Sequence, residues 1–188
     1  IARARGIVDR IVRSAESAAD IVSHIRALFQ KSAGPRRSTD LGALVGEVRD
    51  LLAKPFAQSR TSLDIRLASG LPPVAIDAVQ IQQVLVNILR NAIEAMAASP
   101  EGSRKLRLEG AVERDRIRID ITDTGPGLAD PDHALEAFFT TKVHGMGMGL
   151  AICRSIVEAH GGPLQANNVE PTGARFTFTL PIAKGGED

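Results

Sequence analysis

From about Arg5 to Lys31 the apolar residues Ile7, Val8, Ile11, Val12, Val22, Ile25, Leu28 and Phe29 recur at three- and four-residue intervals, with charges between them. That period predicts one long amphipathic helix, roughly 40 Å at ~1.5 Å per residue. A single apolar stripe of that length needs a cover, either an upstream helix or a second copy of the chain. Gly34-Pro35-Arg36-Arg37-Ser38 interrupts the pattern. The organisation read from this is a helix over 1–33, a linker at 34–38, a globular part over 39–184 and a polar tail at 185–188.

Inside the globular part the period switches between 3.6 and 2. Leu41 to Ala57 reads as a helix, and Ser62–Leu67 and Val74–Ile76 as strands. Asp77 stands where an N-cap is wanted, opening a helix from Ala78 to about Ala98. Lys105–Val112 and Arg116–Thr122 flank Glu113-Arg114-Asp115 and read as a hairpin. Thr124 to His144 carries no long periodic pattern, which is the mark of a lid or an unstructured loop. An apolar helix follows and stops at His160-Gly161-Gly162, with His160 suited to the negative end of the helix dipole. Strands at Leu164–Ala166 and Ala174–Leu180 complete the chain before the tail from Lys184.

With 188 residues, 44% of them hydrophobic, the chain can bury a sizeable core. A net charge of +1 gives no strong electrostatic argument for nucleic acid, and no such partner is expected. The single cysteine, Cys153, excludes an internal disulfide and suits a reducing compartment; among Ala151, Ile152 and Ile156 it reads as a small core residue. No apolar run approaches the ~18 residues of a membrane span. The chain opens on Ile1 and reads as a soluble, cytoplasmic fragment of something longer, without membrane contact of its own.

Candidate chemistry gathers between Asp123 and Leu150. Asp123 follows the alternating run I-R-I-D-I-T, so a half-buried strand delivers its carboxylate. A carboxylate accepts from an exocyclic amine such as that of adenine, whereas guanine presents a carbonyl there. Gly125 and Gly127 let backbone approach beneath a base. Gly145, Gly147 and Gly149 open a helix, where successive N–H groups and the helix dipole favour phosphate. Upstream, Asn87, Asn91 and Glu94 line one stripe of the Ala78 helix. Water-satisfied amides are the plain account of that stripe; a hard cation such as Mg²⁺, which takes oxygen ligands with few from protein, is the one preferred. Phe138 and Phe139 suggest an anchored lid. Lys142 supplies a cation, while Thr140 and Thr141 suit either phosphate contact or structural hydrogen bonding.

The set Asn87-Ile-Leu-Arg-Asn91-Ala, Asp123-Thr-Gly-Pro-Gly127, Phe138-Phe-Thr-Thr-Lys142 and Gly145-Met-Gly-Met-Gly149-Leu150, in this order, resembles the N, G1, F and G2 boxes of bacterial sensor histidine kinases. These belong to the GHKL superfamily, with type II topoisomerases, mismatch-repair MutL proteins and Hsp90 chaperones, and the wording is nearest the oxygen-, nitrogen- and dicarboxylate-responsive subgroup. The resemblance covers Thr39 to about Ala183. It implies an α+β fold, a two-layer α/β sandwich of the Bergerat type, preceded by a helix of a dimerisation bundle. It also implies ATP and Mg²⁺ as cofactors, with Asp123 on adenine and Asn91 on the metal. Glu94, Gly125, Gly127, Leu128, Thr140, Thr141, Gly145, Met146, Gly147, Met148, Gly149, Leu150 and Thr177 would contact nucleotide, and Asn87 and Lys142 would serve transfer. Implied partners are a second copy of the full-length protein and a response-regulator receiver domain. Departures are Ala137, where Pro is frequent, and Met148, where Leu is usual.

The family's phosphorylated histidine is followed by Glu or Asp. The four histidines here precede Ile25, Ala134, Gly145 and Gly161, so this chain holds no phosphoacceptor, and His24 reads as a bundle-edge residue. An ATP-hydrolysing clamp of the superfamily would place a Glu general base where this chain has Asn87, and an amide cannot take a proton from water at neutral pH. That leaves phosphoryl transfer, which needs mainly positioning and charge neutralisation, or a nucleotide-binding regulatory module without chemistry. The P-loop class and the eukaryotic-type kinases are excluded by the lack of their motifs.

Overall fold

The computed structural model describes residues 35–141 and 146–183. The expected helix over 5–31 with His24, together with Lys142, Gly145 and the tail from Lys184, lies outside them.

The strands are β1 (Arg37–Thr39), β2 (Ser62–Leu67), β3 (Val74–Ile76), β4 (Lys105–Glu113), β5 (Arg116–Asp123), β6 (Leu164–Asn168) and β7 (Ala174–Pro181). The helices are α1 (Leu41–Leu51), α2 (Ala53–Ser59), α3 (Ala78–Ala95), continued by a 3₁₀ turn at Met96–Ala98, and α4 (Gly149–Ala159). Five strands form one sheet in the order β2-β4-β5-β7-β6, with β2 and β4 parallel and the other pairs antiparallel. β1 and β3 form a separate antiparallel pair.

Alternation in the strands explains the layers. Ile117, Ile119 and Ile121 of β5 and Phe176, Phe178 and Leu180 of β7 are buried, as are Leu106 and Leu108 of β4. Residues between them, such as Arg107, Arg118, Asp120, Thr177 and Thr179, keep some exposure on the other face. Against the apolar face lie the buried stripes of α1 (Leu41, Leu44, Val45, Val48) and α3 (Ile81, Val84, Leu85, Ile88, Leu89, Ala92), and Ile152, Cys153, Ile156 and Val157 of α4. Each large apolar side chain removed from water there contributes about 1.5–3 kcal/mol, which is what holds helices on one side of the sheet. The result is the expected two-layer α/β sandwich.

Local signals set the helix ends. Asp40 Oδ1 accepts from Gly42 N at 2.7 Å and Ala43 N at 3.1 Å, capping α1. Asp77 does the same for α3 through Val79 N and Gln80 N, as expected. The single helix expected over Leu41 to Ala57 is instead two, broken at Leu52 (φ −95°, ψ 6°). Pro55 is the reason: it has no N–H and crowds the carbonyl four residues back, and restarting the helix at Ala53 moves it into a first turn, where it is tolerated.

Arg37 and Ser38, read from sequence as linker, pair with Ile76 and Ala75 of β3. Just before them, the Arg36 guanidinium donates to the Ala159 carbonyl at the end of α4. Arg37–Thr39 has no apolar alternation to read, so β1 exists only through its partner.

Candidate functional site

β5 ends on Asp123, whose side chain turns to the helix side of the sheet and is 4% exposed. Its Oδ1 accepts from Gly125 N at 2.8 Å and Ala174 N at 3.3 Å. No described residue donates to Oδ2. Burial pushes the Asp123 pKa above the ordinary carboxylate value, and the two backbone donors partly oppose the rise. One oxygen is thus locked to the backbone while the other is left for a donor from outside.

Two features of this arrangement were not read from the sequence. Gly173, in the β6–β7 turn, has φ +133°, and a Cβ there would lie 2.0 Å from the Asp123 carbonyl oxygen. Only glycine lets the turn pass beneath Asp123 and bring Ala174 N to its carboxylate. Asn168, at the end of β6, bonds both backbone groups of Leu128. The Gly-Ala ahead of an alternating strand was the available signal for the first; nothing local marked the second.

The Asp123 loop meets α3 at Gly125, where an added Cβ would sit 3.4 Å from Met96 Cγ and 3.6 Å from Ala95 Cβ. α4 packs antiparallel to α3. His160 beyond its C-terminus accepts at Nε2 from Asp77 N at 3.0 Å, while Cys153 Sγ lies 3.9 Å from the Val84 carbonyl. That register, carried a turn further, sets the start of α4 at Gly149 level with the Ile88–Asn91 stretch of α3. The N-cap residue of α4, Met148, makes no side-chain capping bond, and the leading N–H groups of a helix are donors suited to an anion. An added Cβ at Gly149 would meet nothing within 4 Å. The N-box asparagines therefore lie on the stretch of α3 between its contact with Cys153 of α4 at Val84 and its contact with the Asp123 loop at Ala95–Met96.

Within it the asparagines differ. Asn87 Nδ2 is buried without a hydrogen-bond partner among the described residues, beside Cys153 of α4. Burial drives the Cys153 thiol up to about 12, and the neighbouring Asn87 amide only partly opposes it. Asn91 is half-buried and Glu94 exposed. No group of three or more His, Cys, Asp or Glu stands together among the described residues, so there is no all-protein metal cage. The amide oxygens of Asn87 and Asn91 are donors of the kind Mg²⁺ takes, an ion that keeps most of its ligands from outside the protein.

The described part of the segment expected to form a lid is held by backbone contacts. Phe138 N donates to the Gly147 carbonyl at 2.9 Å. A Cβ on Gly147, which has φ +66°, would lie 2.5 Å from the Phe139 carbonyl oxygen, so this glycine serves close packing in addition to any phosphate contact. Of the expected aromatic anchors only Phe139 is half-buried, 6.4 Å from the His133 ring; Phe138 is 75% exposed. Thr140, Thr141 and Met146 are exposed, and Leu128, Met148 and Leu150 are half-buried.

One expectation is corrected. Thr177 does not join the cluster: it points to the open face of the sheet, and its hydroxyl donates to Asp120 Oδ1 at 2.6 Å, whereas Asp123 faces the helices. The alternation with buried Phe176 and Phe178 carried that signal. His160, beyond the C-terminus of α4, is buried, with Nδ1 on the Ile156 carbonyl at 2.8 Å and Nε2 accepting from Asp77 N, so the ring ties α4 to the cap of α3.

Residues 76–184 match the family described as Histidine kinase-, DNA gyrase B-, and HSP90-like ATPase. The chain is 39% identical over 178 residues to Sensor protein FixL of Bradyrhizobium diazoefficiens, covering 94% of this chain and 35% of that protein. It is 35% identical over 187 residues to Sensor histidine kinase TmoS of Ectopseudomonas mendocina, covering 97% of this chain and 19% of that one. Among solved structures, the nucleotide-free catalytic domain of histidine kinase ThkA superposes with a TM-score of 0.71 at 30% identity, over 79% of this chain and 97% of that one. The chain thus corresponds to one part of much longer curated relatives. Its four boxes, its sandwich and this match over a whole catalytic domain place it in the histidine kinase-, DNA gyrase B- and HSP90-like ATPase family, as the ATP-binding catalytic part of a sensor histidine kinase.

Proposed function

We propose that this domain binds ATP with Mg²⁺ and directs the γ-phosphoryl group to a histidine on a helix outside this chain, from which a response-regulator aspartate receives it. The observation that carries the reading is the Asp123 carboxylate, buried, held at Oδ1 by two backbone N–H groups and left without a described donor at Oδ2. Adenine's amine supplies the missing donor. Asn91 would hold the cation, which when bound neutralises phosphate charge, with Glu94 nearby on the same stripe. The backbone N–H groups of Gly149 and Leu150 at the start of α4, with Met146, Gly147 and Met148 alongside, suit the phosphates.

Thr140, Thr141, Lys142 and Gly145 complete the proposed nucleotide contacts. Asn87, an amide where a hydrolase would need a carboxylate base, supports transfer over rapid hydrolysis. In the full-length protein we place this domain in the cytoplasm beside a dimeric helical bundle. Among the described residues no helix is long and apolar enough to cross a membrane. The test mixes this chain with γ-labelled ATP and a separate helical hairpin carrying a His-Glu motif. Label on the hairpin is the expected result. Free phosphate alone would make the domain a hydrolytic clamp, and neither product a nucleotide-binding regulator.

A further inference from the structure

We infer that Asn168 is a positioning residue for base recognition, holding the Asp123–Leu128 loop in place by gripping the backbone of Leu128 at two points. The inference rests on Asp123 being the adenine-binding group. Asn168 Oδ1 accepts from Leu128 N at 2.6 Å, and its Nδ2 donates to the Leu128 carbonyl at 2.9 Å. One side chain thereby satisfies both polar backbone groups of one residue, the service a neighbouring strand gives. Neither Leu128 group has another partner among the described residues.

The near end of the loop is fixed separately. Thr124 N donates to the Lys105 carbonyl at 3.1 Å, and Thr124 Oγ1 donates to the Ser103 carbonyl at 2.6 Å. Between the two fastenings lie Gly125, Pro126 and Gly127. Gly127 has φ +84°, and a Cβ there would stand 2.8 Å from Asn168 Oδ1 and 3.3 Å from the Gly173 carbonyl oxygen. The loop crosses the end of β6 in direct contact with this amide, and a side chain on Gly127 would push it off.

Released from Asn168, the Gly-Pro-Gly stretch would be tethered at Asp123 and Thr124 alone. A glycine-rich segment freed in this way has conformational entropy that a ligand must first remove. The consequence is weaker binding at the base end of the nucleotide, independent of how many phosphates follow. A purely structural role for Asn168 would lower the melting temperature and leave the affinity of the folded protein unchanged.

The experiment is calorimetric titration of the full chain with ATP and with ADP, well below melting. Each solvent-accessible hydrogen bond of this kind shifts an equilibrium by roughly two- to tenfold, so Asn168→Leu should weaken both nucleotides by about tenfold and by the same factor. Asn168→Asp keeps an acceptor for Leu128 N but turns an oxygen toward its carbonyl; it should lose about threefold or more, and it carries the test if the Leu variant does not fold. Affinities within about twofold of the parent overturn the inference, as does a loss for ATP that ADP does not share. A parent chain that binds neither nucleotide removes the ATP reading itself, and this inference with it.

Discussion

Asp123→Asn separates recognition from folding, because the structure dictates how the new amide must lie. Gly125 N and Ala174 N both donate to Oδ1, so the amide oxygen stays on them and the NH₂ takes the place of Oδ2. Adenine's exocyclic amine then faces another donor. The loss combines a hydrogen bond to a charged acceptor, about 1.5–3 kcal/mol, with the penalty of burying donors unpaired, about 1–3 kcal/mol. A total of about 2.5–6 kcal/mol weakens ATP by roughly seventy-fold to over ten-thousand-fold. Inosine triphosphate, with a carbonyl at the same ring position, meets a carboxylate in the parent and a donor in the variant, so its affinity should hold or rise.

The fold should not suffer. A carboxyl whose folded pKa is raised binds its proton more tightly in the folded state than in the unfolded one, so stability falls as pH rises through the folded pKa. Above that pKa the ionised Asp123 is a cost that Asn removes. Calorimetry with both nucleotides and thermal melts at neutral pH make the check. ATP affinity retained within about threefold, or equal losses for both nucleotides, would refute the reasoning.

Gly173→Ala should abolish ATP binding and destabilise the domain by more than about 3 kcal/mol, since the added methyl carbon would sit 2.0 Å from the Asp123 carbonyl oxygen at φ +133°; denaturant titration reads the loss. Cys153, buried with its pKa pushed up to about 12, stays a neutral thiol at pH 8 and should react with a thiol reagent only at the rate of unfolding, so fast labelling of the native protein would contradict its placement. Asp130 Oδ2 lies 2.9 Å from His133 Nδ1, which raises the His133 pKa and lowers that of Asp130. The pair's contribution is complete between the two ordinary values, fading as pH rises through the His133 pKa or falls through that of Asp130. In Asp130→Asn the His133 titration, followed by NMR, should move down, and an unmoved curve would count against the pair.

What the sequence determined by itself was local. Helical period marked α3 and α4, alternation marked β2, β4, β5 and β7, and the spacing of glycines around Asp123 and Gly149 marked a nucleotide site, because a few consecutive residues decide backbone conformation and the room a ligand needs. What the tertiary structure decided were relations between distant residues. Arg37–Thr39 is a strand only because Val74–Ile76 lies beside it. Asn168 matters only because Leu128 comes to rest against it, and His160 ties two helices only because Asp77 N reaches its ring. Thr177, carried over with the family resemblance, fell on the wrong face because that face was set by Phe176 and Phe178 seeking the core. Hydrogen-bond partners drawn from separate strands and turns leave no period in a chain; they exist once burial of the apolar faces has brought those strands together.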